Sequence, residues 1–124
     1  MVRIAAVVFA FCLSAGIVNA ADGKLMHCFA FTAIESATPA QWDAFYKASD
    51  ALPGKVPGLL NVWVGKLRRP LNAGNAVRQY GACMEFRDEG ALKAYADSAG
   101  RKEWFAVYEK VRVAGTTTYD ILEH

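Results

Sequence analysis

Leu25-Met26-His27-Cys28-Phe29-Ala30-Phe31-Thr32 alternates from end to end: His27, Phe29 and Phe31 fall on one side, Met26, Cys28 and Ala30 on the other. A period of two is the signature of a β-strand, and here both faces are apolar enough to need cover. The next segment changes period. Thr38-Pro39-Ala40-Gln41 offers an N-cap, a proline at the first helical position and a glutamine placed to close a capping box. Trp42, Phe45, Tyr46, Ser49 and Leu52 then recur at helical spacing, and Pro53-Gly54 ends the run.

The second half repeats the alternation of strand and helix. Leu59 to Lys66 is rich in valine and carries Trp63, which predicts a second strand, and Gln79 to Phe86 predicts a third, with Tyr80, Ala82, Met84 and Phe86 on one face and Cys83 on the other. Pro70, Asn72, Gly74 and Asn75 mark residues 67–78 as a loop or loose hairpin. Asp88 is placed to cap a helix whose stripe is Leu92, Tyr95, Ala96 and Ala99. Gly100 interrupts it, and Trp104, Phe105, Tyr108 and Val111 carry the pattern onward, so two helical pieces with a joint near Ser98 to Arg101 are expected. Gly115 closes the helical region, and three threonines lead into Tyr119, Asp120, Ile121 and Leu122 as a fourth strand. The order βαββαβ predicts an α+β fold of the ferredoxin-like kind, with two helices on one face of a four-stranded antiparallel sheet.

Upstream of this domain the character changes. Arg3 precedes an unbroken apolar run from Ile4 to Leu13, small residues follow, and Val18-Asn19-Ala20 stands before Ala21. That layout reads as a signal peptide over residues 1–20, leaving 21–124 as a single domain that is exported to a periplasmic or extracellular compartment. Ser14, Gly16 and Asn19 interrupt the apolar stretch short of the roughly 20 residues a membrane span needs, so no membrane association is expected after cleavage. The 124 residues carry 14 basic and 12 acidic side chains, well mixed, for a net charge of +2. No polybasic stripe points to nucleic acid.

Cys12 leaves with the signal peptide, so Cys28 and Cys83 remain, on the same face of strands that neighbour each other in ferredoxin-like order. They are read as free or buried thiols, with an intrachain cross-strand disulfide and an intersubunit one left open. The two histidines and two cysteines left lack metal-ligand spacing, and neither a phosphate loop nor a dinucleotide fingerprint occurs, so no metal and no cofactor is expected.

The strand carrying His27, the Val56-Pro57-Gly58 before a strand ending in Gly65, Glu85-Phe86 at the end of the third strand, Tyr95 and Asp120 together resemble the stress-responsive dimeric α/β-barrel (Dabb) family over residues 25–123. The resemblance implies a homodimer whose two sheets pack by their uncovered faces into a barrel, with a small-molecule cavity between sheet and helices in each subunit. In the family's polyketide cyclases a tyrosine and a histidine perform acid/base chemistry. Tyr95 stands at the tyrosine's position, whereas the family's His-Pro-x-His segment reads Ser98-Ala99-Gly100-Arg101, placing Arg101 where the base would be. Arginine does not accept a proton in such a step.

The polar residues expected at the cavity are therefore His27, Tyr95, Arg101 and Asp120, with Phe29 beside His27 on the first strand. His27 and Tyr95 are the candidates for catalysis, since an imidazole exchanges protons near neutrality, and Asp120 is the expected partner of His27. Trp42, Phe45, Tyr46, Trp104, Phe105 and Tyr108 are read first as core. The leading expectation is a homodimer that binds a small aromatic or amphipathic molecule without obligatory turnover. A cofactor-free lyase, cyclase or monooxygenase of the same superfamily is the alternative, and a structural module with a filled cavity the third.

Overall fold

The computed structural model describes residues 23–124; the expected signal peptide lies outside them. Strand β1 (Leu25–Ala33) runs through the middle of a four-stranded antiparallel sheet of order β2-β3-β1-β4, in which β2 is Leu59–Ala73, β3 Ala76–Phe86 and β4 Arg112–Leu122. Helix α1 (Pro39–Ala51) links β1 to β2, and α2 (Glu89–Ala96) and α3 (Ala99–Tyr108) link β3 to β4. This is the ferredoxin-like arrangement, with the second helical region in two pieces.

Each helix begins where local chemistry dictates. The Thr38 hydroxyl accepts from the Gln41 amide while the Gln41 side chain accepts from the Thr38 amide, completing the capping box. Asp88 accepts from the Ala91 amide at the start of α2, and Ser98 accepts from the Arg101 amide at the start of α3. A short 3-10 turn, Leu52–Gly54, finishes the first helical segment.

The alternation seen in β1 becomes two faces. Leu25, Phe29 and Phe31 point toward the helices and meet Ala82, Met84 and Phe86 of β3, all of them buried. Phe31 packs edge-on against Phe45 and Tyr108, and burying each such ring stabilises the fold by about 1.5–3 kcal/mol. Ser49 is buried within this layer because it serves two helices: its hydroxyl donates to the Phe45 carbonyl and accepts from the Trp104 indole at 2.9 Å, tying α1 to α3. Of the six aromatic residues expected in the core, Phe45, Trp104 and Tyr108 are buried, Trp42 and Phe105 are partly buried, and Tyr46 lies on the outer edge, stacked on Trp42. In α2 the buried pair is Ala91 and Tyr95; Ala96 and Ala99 face solvent.

Three segments differ from expectation. Residues 67–78 are strand rather than loop: β2 continues to Ala73 and β3 begins at Ala76, joined by a two-residue turn at Gly74-Asn75. Gly74 has φ +61 at the first turn position, as a type II′ hairpin requires. Pro70 is tolerated because β2 is an edge strand and the register is irregular between Lys66 and Leu71, where no ladder bond is sacrificed. The helical region ends at Tyr108, and β4 starts at Arg112, ahead of Gly115. Gly115, at φ +100, lies inside that strand, near the register shift between Phe31 and Ala33 that lets β4 bend. Val111 is buried, as its apolar character demands, but at a strand entrance rather than in a helix.

The third difference is covalent. Cys28 and Cys83 are directly opposed in the β1–β3 register and form a disulfide, with 4.1 Å between Cα atoms. The reading as free thiols is thus corrected: register, which composition cannot reveal, puts the two residues at a close cross-strand pair. The bond lies on the face away from the helices. Around it, Ala30, Trp63, Leu67, Gly81 and Tyr119 frame a depression of about 400 Å³, and Trp63 is 77% exposed, with Tyr119 and Ile121 more than half exposed.

Candidate functional site

On the opposite face, between β1, β4 and the paired helices α2 and α3, lies a cavity of about 320 Å³. Each side chain reaches it for a local reason. His27 and Phe29 are two residues apart on β1 and share the helix-facing side, their rings 5.9 Å apart. Tyr95 follows Ala91 by one helical turn and packs on Phe86 at 5.3 Å. Arg101 sits in the first turn of α3, where a cation gains nothing from the helix dipole; its guanidinium carbon instead lies 4.8 Å from the centre of the Phe105 ring and 5.9 Å from that of Tyr95. These cation–π contacts hold Arg101 toward the cavity.

His27 and Asp120 are opposed in the β1–β4 register, and His27 Nδ1 lies 2.5 Å from Asp120 Oδ1. A carboxylate oxygen only accepts, so Nδ1 donates, which in the neutral ring leaves Nε2 free to accept a proton. The His27 side chain is 22% exposed and that of Asp120 45%. Asp120 is therefore no buried carboxylate in search of a donor; it stands at the rim and reaches the cavity through His27 alone.

Burial pushes the Tyr95 hydroxyl up to about 12, against the opposing pull of Arg101. The Tyr108 hydroxyl is likewise pushed up to about 12 by burial, with Arg112 opposing. Both are neutral phenols at physiological pH, able to donate a hydrogen bond and unable to act as tyrosinates.

The four residues His27, Phe29, Tyr95 and Arg101 thus line a single cavity, joined by Asp120 from behind. Sequence reading missed Arg112, whose guanidinium carbon lies 4.8 Å from the Phe105 ring centre and 4.9 Å from that of Tyr108. Trp104, Phe105 and Tyr108, read first as core, form the cavity wall as well. The available clue was the alternation of Thr116, Thr118 and Asp120, which places β4 side chains toward the helices and leads back to Arg112 once β4 is recognised as long.

Among the described residues no group of three or more His, Cys, Asp or Glu side chains is placed to hold a metal ion, and no helix is long and apolar enough to cross a membrane.

Comparison with known proteins agrees with this architecture. No curated protein matches the sequence significantly. Among solved structures, a dimeric ferredoxin-like protein of unknown function from Thermobifida fusca is similar with a TM-score of 0.63 at 22% identity, over 81% of this chain and 91% of that one. Hydroxynitrile lyase from Passiflora edulis is similar with a TM-score of 0.67 at 10% identity, over 83% and 95%. SnoaB, a cofactor-independent oxygenase from Streptomyces nogalater, has a TM-score of 0.52 at 14% identity, over 82% and 92%. At such identities the likeness is one of fold. Residues 25–116 match the Stress responsive A/B Barrel Domain, most of the described chain, and the protein belongs to that family, Dabb.

Proposed function

We propose that the protein is an exported homodimer that binds a small aromatic or amphipathic organic molecule in the cavity between sheet and helices of each subunit. The observation that carries this reading is the convergence of His27, Phe29, Tyr95 and Arg101 on one cavity of a size in the range that small ligands occupy. Aromatic walls offer stacking surface and a few polar groups offer orientation. The dimer is supported by the exposed Trp63, Tyr119 and Ile121 on the helix-free face, an apolar surface a monomer would leave wet, and by the dimeric relatives of the same fold. Export is supported by the layout of residues 1–20.

The test is titration of the mature protein with a naphthalene-sulfonate dye. One site per subunit is expected in the wild type, and none in Thr118→Trp, which fills the cavity from its solvent-facing strand. Binding that survives this substitution unchanged, or no binding to the wild type, contradicts the reading.

A second reading, a cofactor-free acid/base enzyme, is favoured by the His27–Asp120 hydrogen bond at the cavity. An imidazole oriented through Nδ1 by a carboxylate presents Nε2 as a general base, with the neutral Tyr95 hydroxyl available as donor. Two proteins of similar fold are a hydroxynitrile lyase and a cofactor-independent oxygenase. Solvent hydrogen–deuterium exchange at an acidic C–H of a bound ketone tests it: exchange should vanish in His27→Ala and persist in Lys102→Gln, an exposed position outside the cavity lining, and exchange that is equal in both and in buffer rejects it.

A further inference from the structure

The cavity holds more positive charge than a site for a neutral molecule needs. Arg101 and Arg112 both line it, both are half-buried, and neither is engaged in an ion pair among the described residues. The same ring positions both: each guanidinium carbon lies 4.8 Å from the centre of Phe105, so the two are no more than about twice that distance apart. Held by a π-face rather than by a carboxylate, a guanidinium keeps its N–H fork free for an incoming acceptor. Among the described residues no acidic side chain lines the cavity to neutralise them, Asp120 being taken by His27.

A second, independent feature points the same way. The Tyr108 hydroxyl lies in the cavity wall and is buried; the Arg112 guanidinium stands beside its oxygen, but among the described residues no acceptor takes its proton. Buried hydroxyls are rarely left so, because the unmade bond costs free energy that the unfolded chain does not lose. An acceptor delivered by a ligand would satisfy it. The remaining wall is aromatic, with Phe29 packed against Trp104 and Tyr108 at 6.1 and 5.6 Å.

We infer that the ligand is an aryl carboxylate, its anionic group held by Arg101 and Arg112, its ring against Phe29 and Trp104, and an oxygen accepting from the Tyr108 hydroxyl. This deepens the binding reading above and rests on it. A charge-assisted pairing with guanidinium exceeds a neutral hydrogen bond in strength, so discrimination between an acid and its amide is the direct readout. No step of bond making is involved.

The test compares 2-naphthoate with its neutral isostere 2-naphthamide, by calorimetry on the full mature protein at physiological salt. The wild type should bind naphthoate at least tenfold more tightly than naphthamide, a comparison that needs no variant. Arg112→Gln should cut naphthoate affinity about tenfold while leaving naphthamide unchanged, and Arg112→Lys should restore only part of it, because a point charge lacks the fork. Arg101→Gln supplies the same contrast should the first variant misfold, and Tyr108→Phe should weaken naphthoate without altering its stoichiometry. Equal affinity for acid and amide, both abolished by Thr118→Trp, would overturn the anion inference while leaving the cavity reading intact. Binding of neither compound would overturn both.

Discussion

Replacing Cys28 and Cys83 together by alanine removes the one covalent tie between β1 and β3 while leaving the strands' register and hydrogen bonds in place. The bond closes a loop across 55 positions of sequence. Chain-entropy reasoning for a loop of that length gives about 4 kcal/mol of stabilisation, exerted mainly by restricting the unfolded chain. In a domain of this size each kcal/mol moves the melting temperature by roughly 4–8 °C, so the variant should melt roughly 15–30 °C below the oxidised protein. The assay is far-UV circular dichroism on three samples: oxidised wild type, wild type with excess reductant, and the double variant. Because the tie acts mainly on the unfolded state, the reduced wild type and the variant should melt close together. Their urea m-values should also exceed that of the oxidised protein, since an untied chain exposes more surface. A melting temperature within about 5 °C of the oxidised wild type, or two thiols titratable in the denatured and unreduced protein, would refute the reasoning.

Three further outcomes follow from the packing and the cavity. Ser49→Ala leaves the buried Trp104 indole N–H without an acceptor, and urea denaturation should show a loss of about 1–3 kcal/mol; a loss below about 0.5 would mean that the α1–α3 link is idle. Gly58→Ala places a side chain at φ +82 with its Cβ 2.5 Å from that of Ala91, and should cost about 2 kcal/mol or more, whereas Gly54→Ala, which meets nothing within 4 Å, should stay within about 0.5. In ultraviolet titration, Tyr95 and Tyr108 should stay protonated well beyond the usual phenol range, ionising near 12. Their folded values are raised above the unfolded ones, so the stability they contribute is complete below about pH 10 and lost as pH rises toward 12, and a denaturation midpoint flat across that window would contradict the burial of both rings.

How far the sequence discloses this structure depends on the range of the interactions involved. The period of β1, the Thr38–Gln41 box and the Asp88 cap all depend on neighbours within a turn or two, and each appears in the fold as read, whereas of the stripe Leu92, Tyr95, Ala96 and Ala99 only Tyr95 is buried and Leu92 partly so. The β2–β3 hairpin does not, because Pro70 and Asn72 look like loop residues until β2 is known to be an edge strand with room for an irregularity. The start of β4 is hidden for a similar reason: Gly115 reads as a terminator, yet in a bent strand it is the residue that permits the bend. Pairings between distant strands are the hardest to see. Ferredoxin-like order predicts that His27 and Asp120 are neighbours, but the shared register that brings them to 2.5 Å is a property of the folded sheet. The same holds for Cys28 and Cys83, whose residue types permit a thiol pair or a bond equally well. Arg112 escaped notice because its chemistry is expressed only through two rings of α3.

Native mass spectrometry of the protein isolated from its own compartment tests the central claim most directly, since a single spectrum reports oligomeric state, disulfide and retained ligand. The expected species is a dimer of chains starting near Ala21, each about two mass units lighter than its reduced sequence and each carrying one small organic acid that is absent from Thr118→Trp. Bare chains, whether monomeric or dimeric, would contradict it.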